Sequence, residues 1–245
     1  MKSFNEYQVL AGVTRKLDEP PLEMAHYSLG LVGEAGELAS PIRMTAEDYA
    51  KELGDCFWYA AGVCSVMELD LNTLTVGSGV SARYNLNNVL NIMLSSAAAV
   101  CEMAKKYAFY GKEPDTVSLV NNLQEYVNCT LYLCSMSGLD PLDVCAKNIA
   151  KLEARFGGKF DAFRAINRDV EAEAAAVAGG VSMTPGFESE ALDMMKGQLI
   201  VALVKRAGGS LDIPVAEVDN TGQDILYMSV DQEKRVFHFE VRKKS

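Results

Sequence analysis

Glu34-Ala-Gly-Glu37 and Glu52-Leu-Gly-Asp55 carry four carboxylates in two tightly spaced pairs. Each pair is spaced i, i+3, which places both acids on one face of a helix. Two such helices, packed antiparallel across a short connection, aim all four carboxylates at one place. That concentration of charge is unfavourable unless cations neutralise it, and an all-oxygen ligand set selects Mg2+, with Mn2+ as a substitute. A bare Glu-x-x-Glu is ordinary on a solvated face, but these surroundings are not. Glu34 and Glu37 lie in Tyr27-Ser-Leu-Gly-Leu-Val-Gly-Glu-Ala-Gly-Glu-Leu-Ala39, which is otherwise apolar or small. Gly30, Gly33 and Gly36 each lower helix propensity by roughly 1 kcal/mol, tolerable where a backbone or ligand must come close. Glu52 and Asp55 lead into Cys56-Phe-Trp-Tyr-Ala-Ala-Gly-Val63, a run that reads as buried. Acids beside a core stripe need a partner, and a metal fits better than a set of salt bridges.

Outward from the acids, the first 170 or so residues read almost entirely as helix. Segments 3–17, 21–40, 45–67, 85–110, 116–137 and 141–156 have apolar residues at helical spacing. Glu19-Pro20-Pro21, Ser40-Pro41, Gly77-Ser78-Gly79, Gly111-Lys112-Glu113-Pro114 and Gly138 punctuate them. Thr45, with Glu47 and Asp48 in the first turn, signals one helix start, and Asp115 or Thr116 another. Residues 170–183 look like an Ala-rich helix end running into a linker. Beyond it, Phe187 to Arg206 is an amphipathic helix stopped by Gly208-Gly209. Alternating runs follow at Leu211 to Val218, Ile225 to Val230 and Val236 to Val241, the last two joined by Asp231-Gln-Glu-Lys234 as a hairpin turn. Residues 184–245 thus read as an accessory α+β domain of about 60 residues, a size marginal alone. Oligomerisation is its first expected role and ligand sensing its second.

Two halves of the helical region align. Glu52-Leu-Gly-Asp55-Cys-Phe-Trp-Tyr59 matches Glu125-Tyr-Val-Asn128-Cys-Thr-Leu-Tyr132, and Leu69-Asp70-Leu71 matches Leu139-Asp140-Pro141. Chance likeness between amphipathic helices is the competing explanation; a tandem duplication, residues 1–76 and 85–170, is the simpler one.

Composition narrows the function. The 245 residues carry a formal charge of −10, which argues against a nucleic-acid polymer as partner. It leaves small anionic ligands open, because a metal supplies local positive charge. No apolar run approaches a membrane span, and Met1-Lys2-Ser3-Phe4-Asn5-Glu6 lacks the features of a signal peptide. The six cysteines form no CxxC pair and sit in helical patterns, as expected of reduced core residues in the cytoplasm. A carboxylate-bridged dimetal bundle needs two Glu-x-x-His pairs, and only Glu23 with His26 qualifies, since Arg235 stands three residues before His238. Gly111-Lys112 lacks the upstream glycine and the following Ser or Thr of a P-loop. Serine-nucleophile and zinc motifs are absent.

The pattern Gly-Leu-x-Gly-Glu-x-Gly-Glu-Leu, then Glu-Leu-Gly-Asp-x-x-Trp-Tyr, resembles the all-α MazG-like nucleoside triphosphate pyrophosphohydrolases, the group that includes dimeric dUTPases and dCTP pyrophosphatases. Phage-encoded members look similar in this region. The resemblance implies that Glu34, Glu37, Glu52 and Asp55 hold Mg2+ and are catalytic, with nucleoside monophosphate and pyrophosphate as products. Lys105, Lys106 and Lys112 resemble the family's basic segment after the first acidic helix. Asn148, Lys151 and Arg155, with Arg168 in Asn167-Arg168-Asp169, resemble its Asn-x-x-Lys-Leu-x-x-Arg stretch and the Asn-Arg-Asp that follows. These are the expected substrate-binding residues. Tyr59, one turn beyond Asp55, is a candidate contact for ribose or base, or else core; Trp58 reads as core.

The halves depart from the family in opposite ways. Ala99 stands where the first half has Glu34, and Asn128 where it has Asp55, while Glu102 and Glu125 remain. The first half keeps four acids but has nothing like Asn148, Lys151 or Arg155 after Leu74. The expectation is therefore a tandem-duplicated, mainly α bundle, an intrachain pseudo-dimer, with one composite site per chain and the cations supplied by the second half. A nucleotide-binding or regulatory protein that retains the fold without turnover is the rival, and alarmone nucleotides are alternative substrates. Localisation in the cytoplasm, that of the host if phage-encoded, follows.

Overall fold

Local signals set the helix boundaries. A computed structural model describes residues 1–15, 18–40, 44–75, 85–157 and 160–177, and the backbone of 224–231 and 236–243. Its helices are α1 (Phe4–Val13), α2 (Pro20–Leu38), α3 (Ala46–Val66), α4 (Leu71–Leu74), α5 (Leu86–Tyr110), α6 (Thr116–Met136), α7 (Pro141–Phe156), α8 (Ala162–Ile166) and α9 (Val170–Val177). Thr45 caps α3, its hydroxyl accepting from the Asp48 N–H at 3.0 Å, and Asp115 caps α6, accepting from Ser118 at 2.8 Å. Each cap satisfies an orphan donor of the first turn and contributes about 1 kcal/mol. Gly111 and Gly157 end α5 and α7 at φ of 63° and 65°, a left-handed conformation that glycine adopts without strain.

The same turn occurs twice. After α3, Glu68 has φ of 54° and the Leu69 N–H reaches back to the Cys64 carbonyl at 2.8 Å; Asp70 then caps α4. After α6, Gly138 has φ of 70° and the Leu139 N–H reaches the Cys134 carbonyl at 2.9 Å; Asp140 then caps α7. α3 and α6 are both 21 residues long. The sequels differ: α7 runs for 16 residues where α4 stops after four.

The chain divides into two compact units, 1–193 and 194–245. In the first, α2 packs on α3 and α5, α5 on α6, α3 on α6 and α7, α1 on α3 and α7, and α9 on α7. One hydrophobic core runs through both aligned halves, from Tyr7, Tyr27 and Phe57 to Met93, Leu123 and Tyr126, all fully buried. Each such side chain contributes roughly 1.5–3 kcal/mol of transfer free energy. Tyr126 donates to the Leu31 carbonyl at 3.2 Å, tying α6 to α2. All six cysteines are unpaired; burial pushes Cys64, Cys129 and Cys134 up to about 12, which leaves them unreactive. Trp58 is half-buried against the core. No helix among the described residues is long and apolar enough to cross a membrane.

The described residues are thus mainly α-helical. In the second unit, β1 (Asp224–Asp231) and β2 (Val236–Lys243) pair antiparallel, with Ile225 opposite Arg242 and Val230 opposite Phe237. The expected helix at 187–206, the run at 211–218 and, of the turn expected at 231–234, all but Asp231 lie outside the described residues.

Candidate metal centre

α2 and α3 pack against each other, and their facing sides carry the acids. One carboxylate oxygen each from Glu34, Glu37 and Glu52 lies within 4.8 Å of the other two. Among the described residues, this is the one group of three or more such side chains close enough to hold a metal ion. Glu34 Oε2 is buried without a hydrogen-bond partner. Burial, then the charge of Asp55, the close approach of the Glu52 carboxyl, and the charges of Glu52 and Glu37 push its carboxyl up to about 9. Burial also raises Glu52, helped by Asp55 and Glu37 and opposed by Glu34 and Lys151. The donor set fits a hard divalent cation. It is all oxygen, it holds more negative charge than it can carry unassisted, and it contains a buried acceptor with nothing to accept.

Asp55 adjoins this trio, close enough for its charge to raise Glu34 and Glu52, and is held by residues of α7. Lys151 Nζ donates to both of its oxygens at 2.5 Å, and Asn148 Nδ2 donates to Oδ1 at 2.8 Å. The side chain of Lys151 is 3 % exposed and that of Asp55 24 %. Tyr7 completes the arrangement by donating to Asn148 Oδ1 at 2.8 Å and to the Gly54 carbonyl at 3.3 Å. Gly54 lets α7 approach closely here: a Cβ would stand 3.0 Å from that of Asn148, tight enough to push the amide aside by a few tenths of an ångström. The structure therefore brings Asn148 and Lys151 of the second half onto an acid of the first. Both residues are buried, and both donate to Asp55.

The other expected residues divide. Lys105 and Lys106 form salt bridges with Glu102 on the exposed side of α5, the latter at 3.3 Å. Lys112 is exposed just past that helix. Arg155 and Arg168 both bind Glu173. Tyr59 lies beside the acids: burial, Glu34 and Asp55 push its hydroxyl up to about 12. Its ring covers Gly30, where a Cβ would meet Tyr59 Cδ1 at 2.1 Å. Gly30→Ala is accordingly expected to destabilise by about 1–3 kcal/mol despite better helix propensity, with Tyr59→Ala recovering part, measured by urea denaturation. Gly33 and Gly36 meet nothing within 4 Å, so no contact inside the described chain requires them. Glu23 is taken by Arg15 at 3.1 Å and by the Asp18 N–H at 2.6 Å, which removes it from any Glu-x-x-His metal pair.

The sequence did not reveal Tyr7 or Glu173. Tyr7 lies in an amphipathic helix with no motif around it, and Glu173 in an Ala-rich stretch that reads as a linker approach.

The chain matches no family model and no solved structure. Over 64 residues it is 31 % identical to the Gene 37 protein of Mycobacterium phage L5, covering 21 % of this chain and 56 % of that protein. The chain thus spans about half the length of the curated protein it matches.

Proposed function

We propose that this protein is a Mg2+-dependent nucleoside triphosphate pyrophosphohydrolase of the MazG-like kind, with one composite site per chain. The observation that carries the proposal is the trio Glu34, Glu37 and Glu52, with its orphaned buried oxygen, beside an Asp55 held by second-half residues. The repeated turn after α3 and α6 and the equal helix lengths support a tandem duplication. The lack of a matching acid trio around Glu102 and Glu125 among the described residues supports one site rather than two.

Glu34, Glu37 and Glu52 would hold the cation, with Asp55 adjoining. The bound ion supplies Lewis acidity toward phosphate oxygens and lowers the pKa of a coordinated water. The protein's own groups do the rest. Lys151 and Asn148 fix the Asp55 carboxylate, so the site needs no reorganisation of that charge when substrate arrives. Glu52, whose proton affinity burial raises, accepts the proton of the attacking water at its carboxylate. Tyr59 forms the wall next to the acids, on the side where ribose or base would lie. The second unit would serve assembly into a homo-oligomer.

One observation favours a second reading, a nucleotide-binding protein without turnover: Lys151 is already engaged by Asp55. A panel of NTPs, dNTPs and guanosine tetraphosphate, with and without Mg2+, separates the two. Hydrolysis predicts nucleoside monophosphate and pyrophosphate from at least one triphosphate, only with the metal. Tight binding of a nucleotide with no product from any of them would favour the second reading.

A further inference from the structure

Apart from the acid trio, Glu173 is the centre of a dense ionic group. Its side chain is 3 % exposed, and its carboxylate accepts from Arg155 Nε at 2.8 Å and Nη2 at 2.7 Å. It also accepts from Arg168 Nε at 3.3 Å and Nη2 at 2.6 Å. A buried carboxylate set between two guanidinium forks leaves one positive charge uncompensated. Glu173 takes the Nε–Nη2 edge of each fork, so the Nη1 ends are not spent on it. Burial opposes the charge on Glu173, but hydrogen bonds from Arg155 and Arg168 hold its carboxyl down to about 2.

The group is continuous with the acid site. Asn148, Lys151 and Arg155 are spaced i, i+3, i+7 along α7, one face of one helix. The first two hold Asp55 and the third holds Glu173, so a row of charge runs from the acids outward. The fields of Asp55 and Glu52 reach Arg168, and that of Arg155 reaches Tyr59. A lone surface arginine must be ordered when an anion binds; a pair already clamped by a buried carboxylate escapes most of that cost. Glu173 cannot be a mere placeholder for phosphate, because leaving would strand it buried and unpaired.

We propose that Glu173 is a positioning residue that locks Arg155 and Arg168 side by side as a receptor for the pyrophosphate end of a nucleoside triphosphate. The inference rests on the hydrolase reading of the acid site. It assigns the substrate's outer phosphates to the α7–α9 edge, and leaves the inner phosphate to the metal-holding acids.

The test uses the full chain, with Mg2+ and inorganic pyrophosphate as an inhibitor of triphosphate hydrolysis. Glu173→Gln should weaken pyrophosphate inhibition and raise KM by about tenfold, the worth of one charge-assisted hydrogen bond. Turnover at saturation should stay within about twofold, since the reacting centre is untouched. Mn2+ binding by the acids should not change. Arg168→Lys keeps the charge but loses the fork on a side chain that is 47 % exposed, so it leaves the fold intact, and it should weaken inhibition about fivefold. Should Glu173→Gln fail to fold, Arg168→Lys decides alone. Lower thermal stability with unchanged KM and unchanged pyrophosphate inhibition would overturn the inference, leaving Glu173 a tie between α7 and α9. A wild-type protein that neither hydrolyses triphosphates nor binds pyrophosphate would overturn the hydrolase reading itself, and this inference with it.

Discussion

Glu34→Gln is expected to end metal-dependent turnover and, in the same protein, to make the metal-free fold more stable at alkaline pH. The two effects have one cause. Glu34 is buried among like charges, and its carboxyl is raised from 4.5 to about 9. Between those values the unfolded chain has released the proton that the folded chain still holds. Folding is therefore increasingly disfavoured as pH rises from about 4.5 toward 9. Glutamine keeps the shape and carries no charge to bury, so this part of the pH dependence should vanish. It also removes one of the proposed cation ligands, and turnover should fall on the order of a hundredfold or more. In EDTA, urea midpoints of the wild type should drop between pH 5 and pH 8.5 more steeply than those of the variant. Adding Mg2+ or Mn2+ at pH 8.5 should restore the wild type and leave the variant unmoved. Parallel pH profiles, with metal stabilisation retained in Glu34→Gln, would contradict this account of the trio.

Lys151→Met should be the most destabilising single change at the site. Lys151 is buried and bonded to both oxygens of Asp55, which would be left with Asn148 as its described partner. Breaking a buried pair from one side costs about 3–5 kcal/mol, and the partial exposure of Asp55 lowers that to about 2–4 kcal/mol. Asp55→Asn in the same chain should recover a large part, because no charge then remains unpaired. Urea denaturation of the two single variants and the double variant gives the coupling directly. A coupling above about 1 kcal/mol is expected of groups in contact, and additive losses would deny that the halves meet at this pair. Turnover should fall with the same substitution, through misplacement of Asp55.

Much of the fold was legible because its signals are local. Thr45, Asp115, Gly111 and Gly138 are caps and stops whose chemistry acts within a turn, and the helices begin and end beside them. The i, i+3 acids were legible for the same reason: spacing on one helix fixes a shared face. What escaped depends on long-range packing. Tyr7 meets Asn148 across 141 positions, and no pattern near Tyr7 announces it. The pairing of Asp55 with Lys151 depends on where α7 packs on α3, 96 positions away in the chain. Lys105 and Lys106 had a partner in plain view, since Glu102 stands three and four residues before them. In sequence, Gly30 reads as room for a ligand or a backbone, and the Tyr59 ring occupies that room.

The most direct measurement on the central claim is phosphorus NMR of the wild-type chain incubated with nucleoside triphosphates and Mg2+. The proposed hydrolysis gives resonances of nucleoside monophosphate and pyrophosphate, absent with EDTA and absent with Glu34→Gln. Unchanged triphosphate throughout, or release of orthophosphate from the terminal position, would contradict it.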